Sequence, residues 1–173
     1  MTDTYDLPTA FREAFRHHPS GVAVIAADPG DGPVALTVSS LISVSADPPT
    51  VAFSLSTKSS AAAHLLRAEI LVIHFIHLSD LPIAQLGATS GIDRFGPEID
   101  WERLPTGEPH YTKVTTWFRA KIKGQLPVSG ATIIAAELLD GHADILPGKP
   151  EEQSMVYLDR RWHRLHDLAD DKV

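Results

Sequence analysis

The sequence contains no cysteine. That excludes a disulfide scaffold, a Cys-rich zinc ribbon or finger, an iron–sulfur centre, a CxxC redox pair and a thiol nucleophile. Any electron chemistry would have to be carried by a borrowed group. Basic residues are also in deficit, with 15 Lys and Arg against 22 Asp and Glu, a formal charge of −7. Those cations are scattered along the chain, which argues against nucleic acid as a partner but leaves room for one small phosphate. Long apolar runs are missing too. The longest, residues 70–78 (ILVIHFIHL), carries two His and falls well short of the ~20 residues that cross a bilayer, so no membrane segment is expected. The opening MTDTYDLPTA has neither a basic n-region nor an apolar h-region, and the expectation is a cytoplasmic protein.

What is present is enough for a core: 43% of the 173 side chains are apolar. At this length the chain reads as a single domain over residues 1–173, with a core at about 10–165 and a polar tail at 166–173. Residues 9–18 (TAFREAFRHH) have helical spacing, with Thr9 as cap, Pro19 as stop and the Phe11/Phe15 pair expected in the core. Strand-like runs follow at 22–27, 34–45 and 50–56, separated by Gly and Pro clusters. A helix is predicted at 59–68, a strand buried on both faces at 70–76 and a helix at 79–89. Residues 90–112 show no period and read as a long loop. From Val114 apolar residues alternate through Phe118, Ala120, Ile122 and Leu126, with Arg119, Lys121, Lys123 and Gln125 on the polar parity. Further strands are predicted at 132–139, 155–158 and 162–165. The fold class is therefore mainly β with short inserted helices, and so many short strands suggest a closed barrel. A doubly wound sheet is excluded, since strands and helices do not alternate and no GxGxxG follows the first strand.

Chemistry is concentrated in two segments. Residues 35–49 (ALTVSSLISVSADPP) crowd Thr37, Ser39, Ser40, Ser43 and Ser45 together. Small hydroxylated residues let main-chain N–H and C=O groups approach the polar edge of a planar ligand. A plain Ser/Thr-rich edge strand is the alternative. In residues 54–60 (SLSTKSS) a strand gives way to a helix, placing Ser59 and Ser60 at a helix start just after Lys58. Helix-end N–H groups, two hydroxyls and one ammonium suit a phosphate. The alternative is an ordinary helix cap beside a solvated Lys.

Taken together, three stretches resemble the flavin reductase-like family of FMN-binding split barrels. They are Phe-Arg-x-Ala-Phe-Arg-x-x-Pro-Ser-Gly-Val-Ala-Val from Phe11, Leu-Thr-Val-Ser-Ser-x-x-Ser-Val-Ser-x-x-Pro-Pro from Leu36, and Lys58-Ser59-Ser60. The likeness spans roughly residues 10–165. It implies a six-stranded Greek-key split barrel working as a homodimer, with flavin near the subunit interface. On that resemblance Thr37, Val38, Ser39 and Ser40 line the flavin ring, Ser54, Leu55 and Ser56 follow its edge, and Lys58, Ser59 and Ser60 hold its phosphate. Arg94 and Phe95, in GIDRFG, match a loop that closes on the flavin. Two positions depart from the family pattern. His74 replaces an amide in the strand LVIHFI, and Ser129-Gly130-Ala131 stands where many reductases carry Gly-Asp-His, so that imidazole is missing.

The implied activity is NAD(P)H-dependent flavin reduction. The implied cofactor is FMN, with FAD as the larger alternative and NADH or NADPH as donor. A flavin-dependent monooxygenase is the implied partner. Hydride transfer needs positioning and no obligatory acid or base, so no catalytic residue is assigned. The missing imidazole keeps a second reading open: a flavin carrier, sensor or electron-transfer protein. A split barrel holding deazaflavin or haem is a third, and no haem-ligand pattern supports haem. No metal site is assigned, because His74 and His77 lie three apart on a strand and point to opposite faces. Asp140, His142 and Asp144 share a face but read as a solvated strand end. The GxSxG elbow of serine hydrolases is absent.

Overall fold

The structure is a computed structural model that describes residues 6–144 and 153–165. The polar tail expected at 166–173 lies outside the described residues. Helix α1 (Leu7–Arg16) begins two residues before the predicted start, because Asp6 and not Thr9 caps it. The Asp6 carboxylate accepts from the Thr9 N–H at 3.2 Å, and Pro8 in the first turn needs no N–H partner. The Phe11 and Phe15 rings lie 4.6 Å apart, yet they are 58% and 60% exposed. Their expected place in the core is thus corrected: the apolar stripe of α1 faces outward.

The strands are β1 (Ser20–Gly21), β2 (Ala23–Ala27), β3 (Val34–Val38), β4 (Ile42–Ala46), β5 (Pro49–Ser56), β6 (Ile70–Phe75), β7 (Trp101–Arg103), β8 (Pro109–Tyr111), β9 (Trp117–Val128), β10 (Ala131–His142), β11 (Met155–Leu158) and β12 (Arg161–Arg164). Seven of them form an antiparallel sheet in the order β3-β2-β6-β9-β10-β5-β4. The run predicted at 34–45 is two strands, because its first half pairs with β2 and its second with β5. Consecutive strands thus end up at opposite ends of one sheet, and β3 comes back into contact with β5 as the sheet curls. A mainly β split barrel results, with seven strands in place of six.

Helices α2 (Ser60–Leu65) and α3 (Leu81–Ala88) complete the chain, the latter entered through a 3-10 turn at Leu78–Asp80. Strands β2 and β6 are buried on both faces. One face packs with Phe53, Leu55 and Ile134 inside the barrel, and the other with Phe95, Tyr111 and Val114 outside it. The segment 90–112 is not a bare loop, since it holds the β7–β8 hairpin. Its aromatics hold it down: Phe95 stacks on Tyr111 at 5.2 Å, and Trp101 Nε1–H donates to the Phe95 carbonyl at 2.7 Å.

His74 shows what replaces the amide. Its Nδ1–H donates to the Val24 carbonyl and its Nε2 accepts from the Tyr111 N–H, both at 3.1 Å, which fixes one neutral tautomer. Like an amide, it offers one donor and one acceptor. Burial pushes its pKa down to about 3. His110 stacks on it at 5.4 Å, and among the described residues neither His110 ring nitrogen has a partner in good hydrogen-bonding geometry.

Candidate functional site

The two serine-rich segments, 14 residues apart, meet through one hydroxyl. Ser40 Oγ accepts from the Ser54 N–H at 2.9 Å and donates to the Ser54 carbonyl at 3.3 Å. Ser54 is therefore held on both sides of its backbone by the turn between β3 and β4. That turn forms where the chain crosses from one end of the sheet to the other, so the crossover itself builds the wall.

Ser39, Ser40 and Ser54 line one side of a groove of about 800 Å³. The remaining walls come from α1 (Phe11, Arg12, Phe15, Arg16), from His18, Pro19, Ser20 and Gly21, and from the β11–β12 turn (Tyr157, Leu158, Asp159, Arg160). Asp159 N–H donates to the Arg16 carbonyl at 2.8 Å, fastening that turn to the end of α1. A smaller cavity of about 150 Å³ continues past Ser39 to Thr37, Val38, Ala88 and Trp162. The groove-lining residues of α1 and the β11–β12 turn carry one signal in the sequence, the Phe11/Phe15 pair on an amphipathic helix, which reads equally well as core.

The other predicted residues take varied places. Thr37 Oγ1–H donates to the Ala84 carbonyl of α3 at 2.7 Å, and Val38 and Leu55 are buried apolar supports. α3 comes so close to β3 that a Cβ at Gly87 would collide with Thr37 Oγ1 and crowd the Thr37 nitrogen at 3.1 Å. Ser56 is exposed at the end of β5, opposite Ala131. Lys58 is exposed, Ser59 caps α2 by accepting from the Ala62 N–H at 3.4 Å, and Ser60 is the first residue of that helix. The turn between β9 and β10 touches the same corner, because the Thr57 N–H donates to the Gly130 carbonyl at 3.1 Å.

Arg94 and Phe95 are not brought to the groove within this chain. The Arg94 guanidinium donates to the Leu86 carbonyl at 3.2 Å and the Thr89 carbonyl at 2.5 Å, closing the C-terminus of α3. Phe95 belongs to the outer core. Both residues thereby brace the helix that holds Thr37. Among the described residues, no group of three metal-ligating side chains converges, and no helix is long and apolar enough to cross a membrane.

A family model described as Flavin reductase like domain matches residues 15–166. An NADH:FMN oxidoreductase of Rhodococcus erythropolis is 39% identical over 134 residues, which is 78% of this chain and 70% of that protein. The stachydrine N-demethylase reductase subunit Stc3 of Rhizobium meliloti (strain 1021) is 34% identical over 121 residues, 69% of this chain and 52% of that protein. In fold, a flavin reductase domain protein from Arthrobacter sp. FB24 superposes with a TM-score of 0.85 at 24% identity, covering 96% of this chain and all of the other.

Proposed function

The chain belongs to the flavin reductase-like domain family, and from that premise we propose that it is an NAD(P)H-dependent flavin reductase, the reducing component of a two-component flavin-dependent monooxygenase. The observation that carries the site is the Ser40–Ser54 bond pair, which turns two separate serine-rich segments into one wall of a large groove. The donor set suits FMN. β3 is an end strand of the sheet, so one side of its backbone is free of the ladder as the chain runs on into Ser39 and Ser40. Main-chain groups beside small hydroxyls suit the polar edge of a planar heterocycle. FAD would need the same wall and more of the groove.

In this reading Ser39, Ser40 and Ser54 seat the flavin ring, Ser56 follows its edge, and Lys58, Ser59 and Ser60 take the phosphate. Thr37, Val38, Leu55, Arg94 and Phe95 keep the wall in place. Bound flavin supplies the acceptor for a hydride from the nicotinamide donor. Tyr157, which with Ser39 borders both the groove and the smaller cavity, orients the two ring systems, and Phe11 and Phe15 flank the groove's outer side. No side chain is required to move a proton. We further place the protein in the cytoplasm, where reduced nicotinamide nucleotides are at hand, and read it as a homodimer. The dimer would cover the outward side of the sheet, where Ile42, Leu126 and Ile133 are exposed and Ile133 lies opposite Ser54.

Anaerobic mixing of the FMN-loaded protein with NADH and with NADPH tests the reading. Bleaching at 450 nm that is faster than for free FMN with at least one donor is expected. A colourless protein without affinity for FMN, FAD or riboflavin would sink it. One observation favours a flavin carrier or electron-transfer protein instead: Ala131, at the position of the missing imidazole, lies opposite Ser56. In that case FMN binds tightly but bleaches no faster than free flavin.

A further inference from the structure

Three arginines line the groove against a single acid, Asp159, in a chain whose net charge is −7. Arg16 is engaged, with Glu13 at 3.2 Å and Asp159 at 4.0 Å. Among the described residues Arg12 makes one hydrogen bond, to the Thr9 hydroxyl at 2.9 Å, and no ion pair. Arg160 makes no hydrogen bond or ion pair among the described residues. Asp159 and Arg160 are the two central residues of the β11–β12 hairpin, flanked by the Leu158–Arg161 pair, and both adopt the left-handed region, with φ of 48° and 60°. A two-residue hairpin of this kind needs positive φ at both positions, which favours Asn, Asp or Gly over Arg. The bond from the Asp159 N–H to the Arg16 carbonyl fixes this hairpin against the groove. The turn therefore holds an unpaired guanidinium at the groove, where glycine would be the easier residue.

The neighbours of that guanidinium indicate what it is for. Phe11 and Phe15 present a half-exposed aromatic shelf, which suits a purine ring. The seat proposed for the flavin phosphate, at Lys58 to Ser60, does not line the groove, so these arginines are left for a different phosphate. A groove of about 800 Å³ stands near the top of the ~300–1,000 Å³ range for one small-molecule site, leaving room beside a flavin ring. Resting on the reductase reading, we propose that Arg160, with Arg12, binds a phosphate of the adenine-nucleotide half of the nicotinamide donor, whose base lies against Phe11 and Phe15.

Calorimetric titration with ADP and with 2′,5′-ADP tests this without flavin or turnover. ADP carries the diphosphate common to both donors, and 2′,5′-ADP the phosphate unique to NADPH. Whichever binds more tightly identifies the phosphate that is read. Arg160→Ala is expected to weaken the tighter ligand by about tenfold or more, the scale of a charge-assisted hydrogen bond, and to raise the donor KM similarly. The kcat at saturating donor and the Kd for FMN should stay within about twofold, and Arg160→Lys should recover part of the loss. Arg160→Gly separates function from structure, because glycine relieves the left-handed backbone while deleting the guanidinium. Affinity should fall without any drop in melting temperature.

The proposal is overturned if the wild type binds neither nucleotide or if Arg160→Ala binds as the wild type does. It also fails if FMN affinity falls equally, or if Arg160→Gly loses stability together with binding. A wild type that binds ADP through Arg160 but leaves flavin oxidised sinks the reductase reading while leaving the nucleotide site standing.

Discussion

His74 sits in a strand buried on both faces, where an ionised group has no water to turn to. Its two hydrogen bonds need the neutral ring with the proton on Nδ1, and burial holds its pKa near 3. The adjacent His110 is lowered by burial as well, and a proton on either ring repels the other. The folded state therefore binds fewer protons than the unfolded chain between about pH 6.5 and pH 3, and stability rises with pH across that window. The contribution is fully present above pH 6.5 and is lost as pH falls toward 3. Each such ring adds a slope approaching about 1.4 kcal/mol per pH unit. His74→Gln keeps a donor and an acceptor without a titrating ring. Its urea midpoint should be lower at pH 7, by about 1 to 2 kcal/mol of stability, yet fall less steeply from pH 6.5 to 4. Equal slopes for variant and wild type would show that His74 does not set the acid limb.

At the scale of elements, the site depends on how closely α3 lies on β3. Gly87 permits that approach, and the Thr37 hydroxyl bonded to the Ala84 carbonyl fastens it. Gly87→Ala would drive a methyl group into Thr37, so a loss of about 1 to 3 kcal/mol is expected, together with weaker FMN binding because Ser39 and Ser40 directly follow the displaced strand. Thermal denaturation and a flavin titration measure the two effects. Weaker stability with unchanged FMN affinity would detach Thr37 from the site. The short-range signals at this scale were legible in the sequence: Ser59 as a cap, the both-face burial of 70–76, the turn clusters and the serine motifs. What the sequence could not disclose depends on distant partners. The 34–45 run breaks because its halves pair with strands on opposite sides of the sheet. The 90–112 segment lacks a period because Phe95, Trp101 and Tyr111 are satisfied by one another. Thr9 lost the cap to Asp6 through the ordinary ambiguity of helix ends.

For the whole molecule, a single inserted residue decides which side of the sheet is left open. Ala136 pairs with Ile122 on β9 while Ala135 pairs with Gly124, so Lys123 is a bulge. A bulge of one residue turns the following side chains to the other face. The even-numbered alternation that points Ile122 inward therefore points Leu126 outward, contrary to the buried place its spacing suggested. Leu126 lies opposite Ile133, which lies opposite Ser54, and the next row on the same face runs Gly124, Ala135, Ala52, Ile42. Ile42 is 61%, Leu126 59% and Ile133 41% exposed. An apolar face of this kind is a surface that a second copy would cover, burying about 800 Å² from each chain in a standard interface. Because Ser54 belongs to that face, covering it would also shield the flavin site from water. The double variant Leu126→Lys, Ile133→Glu leaves the inward core untouched, so it should fold, with a circular dichroism spectrum like that of the wild type. By light scattering it should run as a monomer where the wild type runs as a dimer, and its affinity for FMN should fall about tenfold as the site opens to water. A monomeric wild type with full FMN affinity would instead assign this face to another protein and make the groove a site complete within one chain.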